Sequence, residues 1–366
     1  RGDMIHHLGV GDLWVIAGQS NAAGYGRGLY PDPPEPGVHM LRLNGRWDMA
    51  THPLNDPTDT RFPANREWTN PGHSPYLAFA KKLKQATGRP VGLIPAALGG
   101  SHLRSWNPEE QGELYRNMLE IVRLAGGKIR GVLWYQGCSD ANVPESGEAE
   151  TYLARFETFV HHLRKEFGAE SLPVLTVQLN RMIGGEPSGA LDRCWGLVRE
   201  AQRRAAERIP GVYVVPSLDC RLSDNIHNGP DGNRIIGERL AQIALADVYG
   251  IGEPVRAPRA TKAETRLRPE AEKTEIVLHF ADVKGHLLTH STEKVFTVED
   301  ERGRVDVTAW HVTGRAEITL ELARPLQGSA FVHGAFETDP AGYVPFDDAT
   351  RWPMLAFYRL PVETGG

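Results

Sequence analysis

The chain reads as an α/β protein: a three-layer α/β/α domain on about five parallel strands, followed by a small all-β domain. Two observations predict this. Short, nearly continuous apolar runs alternate with segments of helical periodicity as far as residue 250, and beyond it that alternation gives way to brief strand-like runs separated by turn residues. Five runs, 12–17, 91–96, 131–136, 173–179 and 212–217, are rich in Val, Ile and Leu, as strands covered on both faces must be. Helical segments fall near 75–87, 112–126, 148–167, 190–208 and 231–249; in the third, Leu153, Phe156, Val160 and Leu163 recur at helical spacing. Strand–helix alternation at this pitch implies a parallel sheet between helix layers, with working residues on loops beyond the carboxyl ends of the strands.

Gly252-Glu-Pro-Val-Arg-Ala-Pro reads as a linker, which divides the chain into 1–252 and 253–366. After it, Glu275–Phe280, His286–Thr289, Val295–Val298, Val305–Trp310, Ala316–Leu320 and Ala330–Val332 suggest a small antiparallel sheet or sandwich. This last part is expected to be structural rather than polysaccharide-binding. Residues 27–73, rich in Pro, Asn, Arg and Trp, form a long excursion expected to supply part of a substrate wall.

With 366 residues, 40% apolar content and eight Trp, the chain has ample core for two domains. Its net charge of −5 argues against a general nucleic-acid binder, and no apolar run approaches the ~20 residues of a membrane span. Three cysteines, Cys138, Cys194 and Cys220, lack metal-ligand spacing. Arg1 is no natural start, so the chain is read as processed or excised from a longer one. A soluble protein is expected, with room for a secretory or periplasmic signal already removed and the compartment left open.

Chemistry concentrates at four strand ends. Ser20 follows the first strand at the turn into a helix, where unpaired backbone N–H groups suit both a nucleophile and its oxyanion. A serine there is also the commonest helix N-cap, and nothing local separates the two readings. The second strand ends in Gly99-Gly100-Ser101, whose glycines let backbone approach a ligand. Gln136-Gly137-Cys138-Ser139-Asp140 follows the third, and Asp224-Asn225-Ile226-His227 lies beyond the fifth. On a turn, residues three apart share a side, so Asp224 can orient the His227 imidazole to take the serine proton.

Gly18-Gln19-Ser20-Asn21, Gly99-Gly100-Ser101, Trp134-Tyr135-Gln136-Gly137 and Asp224-x-x-His227 resemble the ordered blocks of the SGNH hydrolases, with their flavodoxin-like fold. More narrowly they resemble the sialate O-acetylesterase-like carbohydrate acetylesterases, over roughly residues 10–250. The resemblance implies Ser20 as nucleophile, His227 as base and then acid, and Asp224 as its orienting partner. It implies an oxyanion hole of the Ser20 N–H, the Gly100 N–H and the Gln136 side-chain amide, with no metal or organic cofactor. Gln19, Asn21, Ser101, Arg104 and Asp140 are the expected substrate-binding residues. Two positions depart from the family pattern: Cys138 stands where a glutamate is usual, and Asn228 replaces the proline that often follows the histidine.

The expected activity is O-deacetylation of a glycan, acetylxylan-type first and O-acetylated sialic acid second. A carbohydrate-binding protein that lost catalysis and a lipase-like esterase are the competing readings; no nucleic-acid or membrane partner is expected. Cys138 is expected to be a small buried residue, His161 and His162 surface residues, and Arg104 either a substrate contact or half of an ion pair. Tyr25, Trp47 and Trp68 are candidate sugar platforms that could equally pack.

Overall fold

The computed structural model describes residues 9–68, 71–185, 188–268, 273–291, 293–340 and 343–364; the Arg1 terminus lies outside them. The first part contains β1 (Asp12–Gly18), α1 (Ser20–Ala23), β2 (Val38–Leu41), β3 (Trp47–Met49), α2 (Tyr76–Thr87) and β4 (Val91–Pro95). It continues through α3 (Leu103–Trp106), α4 (Glu113–Leu124), β5 (Gly131–Tyr135), α5 (Cys138–Ala141), α6 (Glu148–Phe167) and β6 (Val174–Val177). It closes with α7 (Gly189–Arg208), β7 (Val212–Val215) and α8 (Pro230–Ile243), whose last turn widens into a π-helical turn over Ala244–Val248.

Seven strands form one sheet in the order β3-β2-β4-β1-β5-β6-β7, all parallel except the β3 edge. The five expected strands are all present, and two more, β2 and β3, come from the excursion over 27–73. There β2 and β3 form a hairpin whose turn holds Asn44-Gly45, a recognised hairpin signal. Strand β1 sits where the connections change direction, between β4 and β5, so the loops after these three strands converge at one carboxyl edge. Side chains alternate across the sheet: Trp14 of β1 meets Phe79 of α2, whereas Trp134 of β5 meets Phe156 and Phe159 of α6. Both tryptophans are fully buried, one beneath each helix layer. No helix among the described residues is long and apolar enough to cross a membrane.

The remaining strands are β8 (Arg259–Arg268), β9 (Lys273–Ala281), β10 (Leu287–Leu288), β11 (Phe296–Asp300), β12 (Gly303–Val305), β13 (Val307–Gly314), β14 (Glu317–Leu322), β15 (Phe331–Gly334), β16 (Phe346–Asp347) and β17 (Phe357–Glu363). Eight of them make a sheet ordered β12-β11-β15-β17-β8-β9-β14-β13, antiparallel except at β17–β8. The sheet curls until its ends meet: Phe296 of β11 packs edge-on against Trp310 of β13, with ring centroids 5.2 Å apart. Strand β8 escapes the sequence reading because, among its residues with described burial, the buried ones are Ala260 and Ala263, set between charged residues.

Buried polar groups fasten this sheet to the first part. The Gln178 amide, just past β6, donates to the Ala356 carbonyl at 2.9 Å and accepts from the Ala356 N–H at 2.8 Å, as a neighbouring strand would. Arg199 of α7 is wholly buried and donates to the carbonyls of Leu179 and Asn180 on one side and of Ala335, Phe336 and Glu337 on the other. Burial pulls its guanidinium down to about 10, which leaves it protonated near neutrality. Arg199→Met strands those carbonyls without donors. Its unfolding free energy, measured by chemical denaturation, is expected to fall by on the order of 3 kcal/mol.

Candidate active site

The turn after β1 is forced by the approach of two strands. Gly18 has φ +126°, and a Cβ there would lie 2.2 Å from the Tyr135 carbonyl oxygen of β5, so only glycine fits. Four-residue α1 follows at once, closed by Gly24 at φ +97°. Ser20 is its first residue, and neither the Ser20 nor the Gly100 N–H has a protein acceptor among the described residues. Gly100 sits at φ +63° with open space on its Cβ side.

Across 207 residues of chain, the Ser20 hydroxyl donates to His227 Nε2 at 2.8 Å. His227 Nδ1 donates to Asp224 Oδ2 at 2.7 Å. Asp224 Oδ1 accepts from the Ile226 and His227 N–H groups at 2.9 and 2.7 Å, which wraps the loop around its carboxylate. Burial alone would raise this carboxyl; the two backbone donors and the imidazole outweigh it and hold Asp224 below the ordinary value. Tyr25 stacks on the imidazole, with ring centroids 5.1 Å apart, and limits its rotation.

Asn21 fixes the loop to the turn. Its Oδ1 accepts from the Asn228 N–H and Nδ2 at 3.0 and 3.2 Å, and its Nδ2 donates to the Ile226 carbonyl. Asn228 is completely buried, also donating to the Tyr135 hydroxyl and accepting from Asn180. A proline at 228 would lack the N–H that Asn21 receives.

Ser20, His227, Asp224 and Gly100 thus come to one sheet edge, but several expected site residues do not reach solvent. Gln136 is fully buried, and its Nε2 donates to the Ser101 carbonyl at 3.1 Å and to Asp140. Its Oε1 accepts from the Tyr152 hydroxyl. With both amide hydrogens engaged, it presents no donor to an oxyanion, which corrects the role expected for it. Gln19, Asn21, Ser101 and Asp140, expected to bind substrate, are also buried, with their polar groups bonded to protein partners. Gln19 accepts from the Gly137 and Ser139 N–H groups; Ser101 binds the Leu98 carbonyl and the Trp106 indole; Asp140 receives the Leu103 N–H and Arg155. Burial holds the Asp140 carboxyl above its usual value. Arg104 keeps an exposed guanidinium but pairs with Glu148 at 2.6 Å, the ion-pair alternative. Cys138 is buried, its thiol pushed up to about 12, and therefore unreactive.

Sequence reasoning missed Glu67. Its Oε2 accepts from the Gly99 N–H at 3.1 Å, and its carboxylate also binds the Tyr25 hydroxyl, joining the glycine turn to the ring over His227. Burial raises this carboxyl. Trp68, next in sequence, is 92% exposed, and Trp47 is half exposed on the β3 edge away from this turn. His102, Asp140 and Glu148 cluster closely, as do Asp32, His52 and His73. Protein cations already hold both sets, Arg104 and Arg155 in the first and Lys81 in the second, so both read as ion-paired networks.

A serine hydroxyl bonded to an oriented imidazole, beside free backbone donors on a parallel-sheet edge, is an arrangement compatible with a hydrolase acting on esters. The chain belongs to the family described as carbohydrate esterase, sialic acid-specific acetylesterase, whose profile matches residues 10–246. It is 33% identical over 258 residues to a "probable carbohydrate esterase" of Arabidopsis thaliana, covering 64% of this chain and 90% of that protein. The crystal structure of that Arabidopsis protein superposes with a TM-score of 0.55 at 28% identity, over 65% of this chain and 99% of the other. A carbohydrate acetylesterase of Xanthomonas citri shares the fold more extensively, with a TM-score of 0.68 at 21% identity, over 94% of this chain and 80% of that one.

The bonding of Gln136 separates two outcomes for Gln136→Ala. The buried Asp140 and Ser101 acceptors lose a donor, so stability should drop by roughly 1–3 kcal/mol in thermal or chemical unfolding. An oxyanion donor would instead give a 10²–10³-fold loss of kcat at unchanged stability.

Proposed function

We propose that the protein is a serine esterase that removes O-acetyl groups from a carbohydrate through an acetyl-enzyme intermediate. The continuous hydrogen-bond chain from Ser20 through His227 to Asp224 carries this reading. As the Ser20 oxygen attacks the acetyl carbonyl, its proton passes to His227 Nε2, and Asp224 steadies the imidazolium. The oxyanion is received by the Ser20 and Gly100 N–H groups, which have no protein acceptor to give up among the described residues. His227 then protonates the departing sugar oxygen, leaving acetyl-Ser20. Water, deprotonated by the same imidazole, attacks the acetyl carbonyl and frees acetate and the serine. An acetylxylan-type glycan is the proposed substrate, and exposed Trp68, beside Glu67, supplies an apolar face for a sugar ring.

Ser20→Ala is expected to abolish acetate release from acetylated xylan and 4-nitrophenyl acetate, by on the order of 10⁴-fold or more in kcat. Asp224→Asn keeps the loop hydrogen bonds only in part and should lower kcat about 10³–10⁴-fold. Measurable turnover by the wild type excludes a purely carbohydrate-binding protein. Rates on nitrophenyl esters should fall at least about tenfold from acetyl to butyryl; a rise with chain length would instead identify a lipase-like enzyme.

A further inference from the structure

A groove of about 540 Å³ runs along the flank of the His227 loop, and both parts of the chain build it. One wall carries Arg181 and Arg221. The other carries His290, Tyr343, Phe346 and Arg351 from the curled sheet and its loops. The groove neighbours the site along the chain: Arg221 directly precedes the turn closed by the Leu222–Asn228 bridge, which holds Asp224 and His227. The Ile183 N–H, two residues after Arg181, donates to the Asn225 carbonyl of the same turn at 2.8 Å.

The charge of this groove opposes that of the whole chain, which is −5. The guanidinium groups of Arg221 and Arg351 have no carboxylate or carbonyl partner among the described residues; Arg351 rests only on the Phe346 ring, at 5.6 Å. Arg181 has a buried Nε without a partner and only a long contact, 3.8 Å, to Asp339. One carboxylate, Asp219, lines the groove, and both its oxygens are held by Arg239 at 2.6–2.7 Å. Between the arginines, Tyr343 is 61% exposed, and His290 lies 4.9 Å from Phe346 between ring centroids. Aromatic faces suit the C–H faces of sugar rings, and guanidinium forks match carboxylates.

From this arrangement we infer that the groove is a subsite for a carboxylate-bearing sugar of the glycan whose acetyl group is presented to Ser20. The inference rests on the esterase reading and narrows its substrate to an acidic glycan. The anionic residue sits a short way along the chain from the acetylated one, held by Arg221 and Arg351 over the aromatic floor. Uronic acids and sialic acids share this chemistry.

Binding to the Ser20→Ala variant tests the subsite without requiring turnover. Calorimetry would compare a glucuronic acid-bearing xylo-oligosaccharide with the same oligosaccharide after its carboxyl is reduced to the alcohol, and a sialyl oligosaccharide with its carboxyl-reduced form. The acidic member of at least one pair should bind ten-fold or more tightly, with the difference shrinking as salt is raised. Adding Arg221→Gln and Arg351→Gln should erase that preference, with circular dichroism confirming the fold. Tyr343→Ala should weaken the acidic and reduced members together. Equal affinity within both pairs, or an acid preference that survives loss of the two arginines, overturns the subsite. The esterase reading fails separately, if wild-type protein releases no acetate from any acetyl ester.

Discussion

Everything at the carboxyl edge of the sheet depends on how Asn21 is spent. A buried side-chain amide must satisfy its donors and acceptor or destabilise the fold. Here that obligation is met entirely by the His227 loop, through the Asn228 N–H and side chain and the Ile226 carbonyl. The residue after the serine therefore sets where the imidazole stands, although the two lie more than 200 positions apart in the chain. Gly18, pressed against Tyr135, sets the height of the serine, and Tyr135 in turn binds Asn228. Serine and histidine are thus referenced to the same strand, β5, rather than only to each other.

A second tier of polar groups lies beneath this one. Gln136, Ser101, Asp140 and Gln19 tie the loops after β1, β4 and β5 together below the surface on which a substrate can lie. Where the family pattern carries a glutamate, Cys138 is a silent buried residue, and the carboxylate at the centre of this network comes from Asp140 two positions on. The network is buried and paired, which suits holding the glycine turn still.

The amino-acid sequence alone revealed the parallel sheet and the serine, aspartate and histidine because these combine a strong periodic signal with short motifs at strand ends. It could not say which way an amide points. Gln136 and Gln19 carry the right chemistry for ligand contacts, yet both face inward, a choice made by partners as distant as Tyr152 and Gly137. Glu67 was invisible for the opposite reason: an isolated acid in a proline-rich stretch has no pattern, and only the fold brings it to Gly99. Strands β2 and β3 were hidden by their brevity despite the Asn44-Gly45 turn, and β8 by alanines that fill its core side without reading as hydrophobic.

The junction at Gln178 and Arg199 bears on how such chains can be recombined. Appended β domains are commonly regarded as exchangeable cassettes on a flexible tether. In this molecule the first part ends β6 on the curled sheet's main chain and buries a positive charge among that sheet's carbonyls. A replacement cassette would have to reproduce backbone positions rather than a surface, a requirement that sequence shuffling rarely meets.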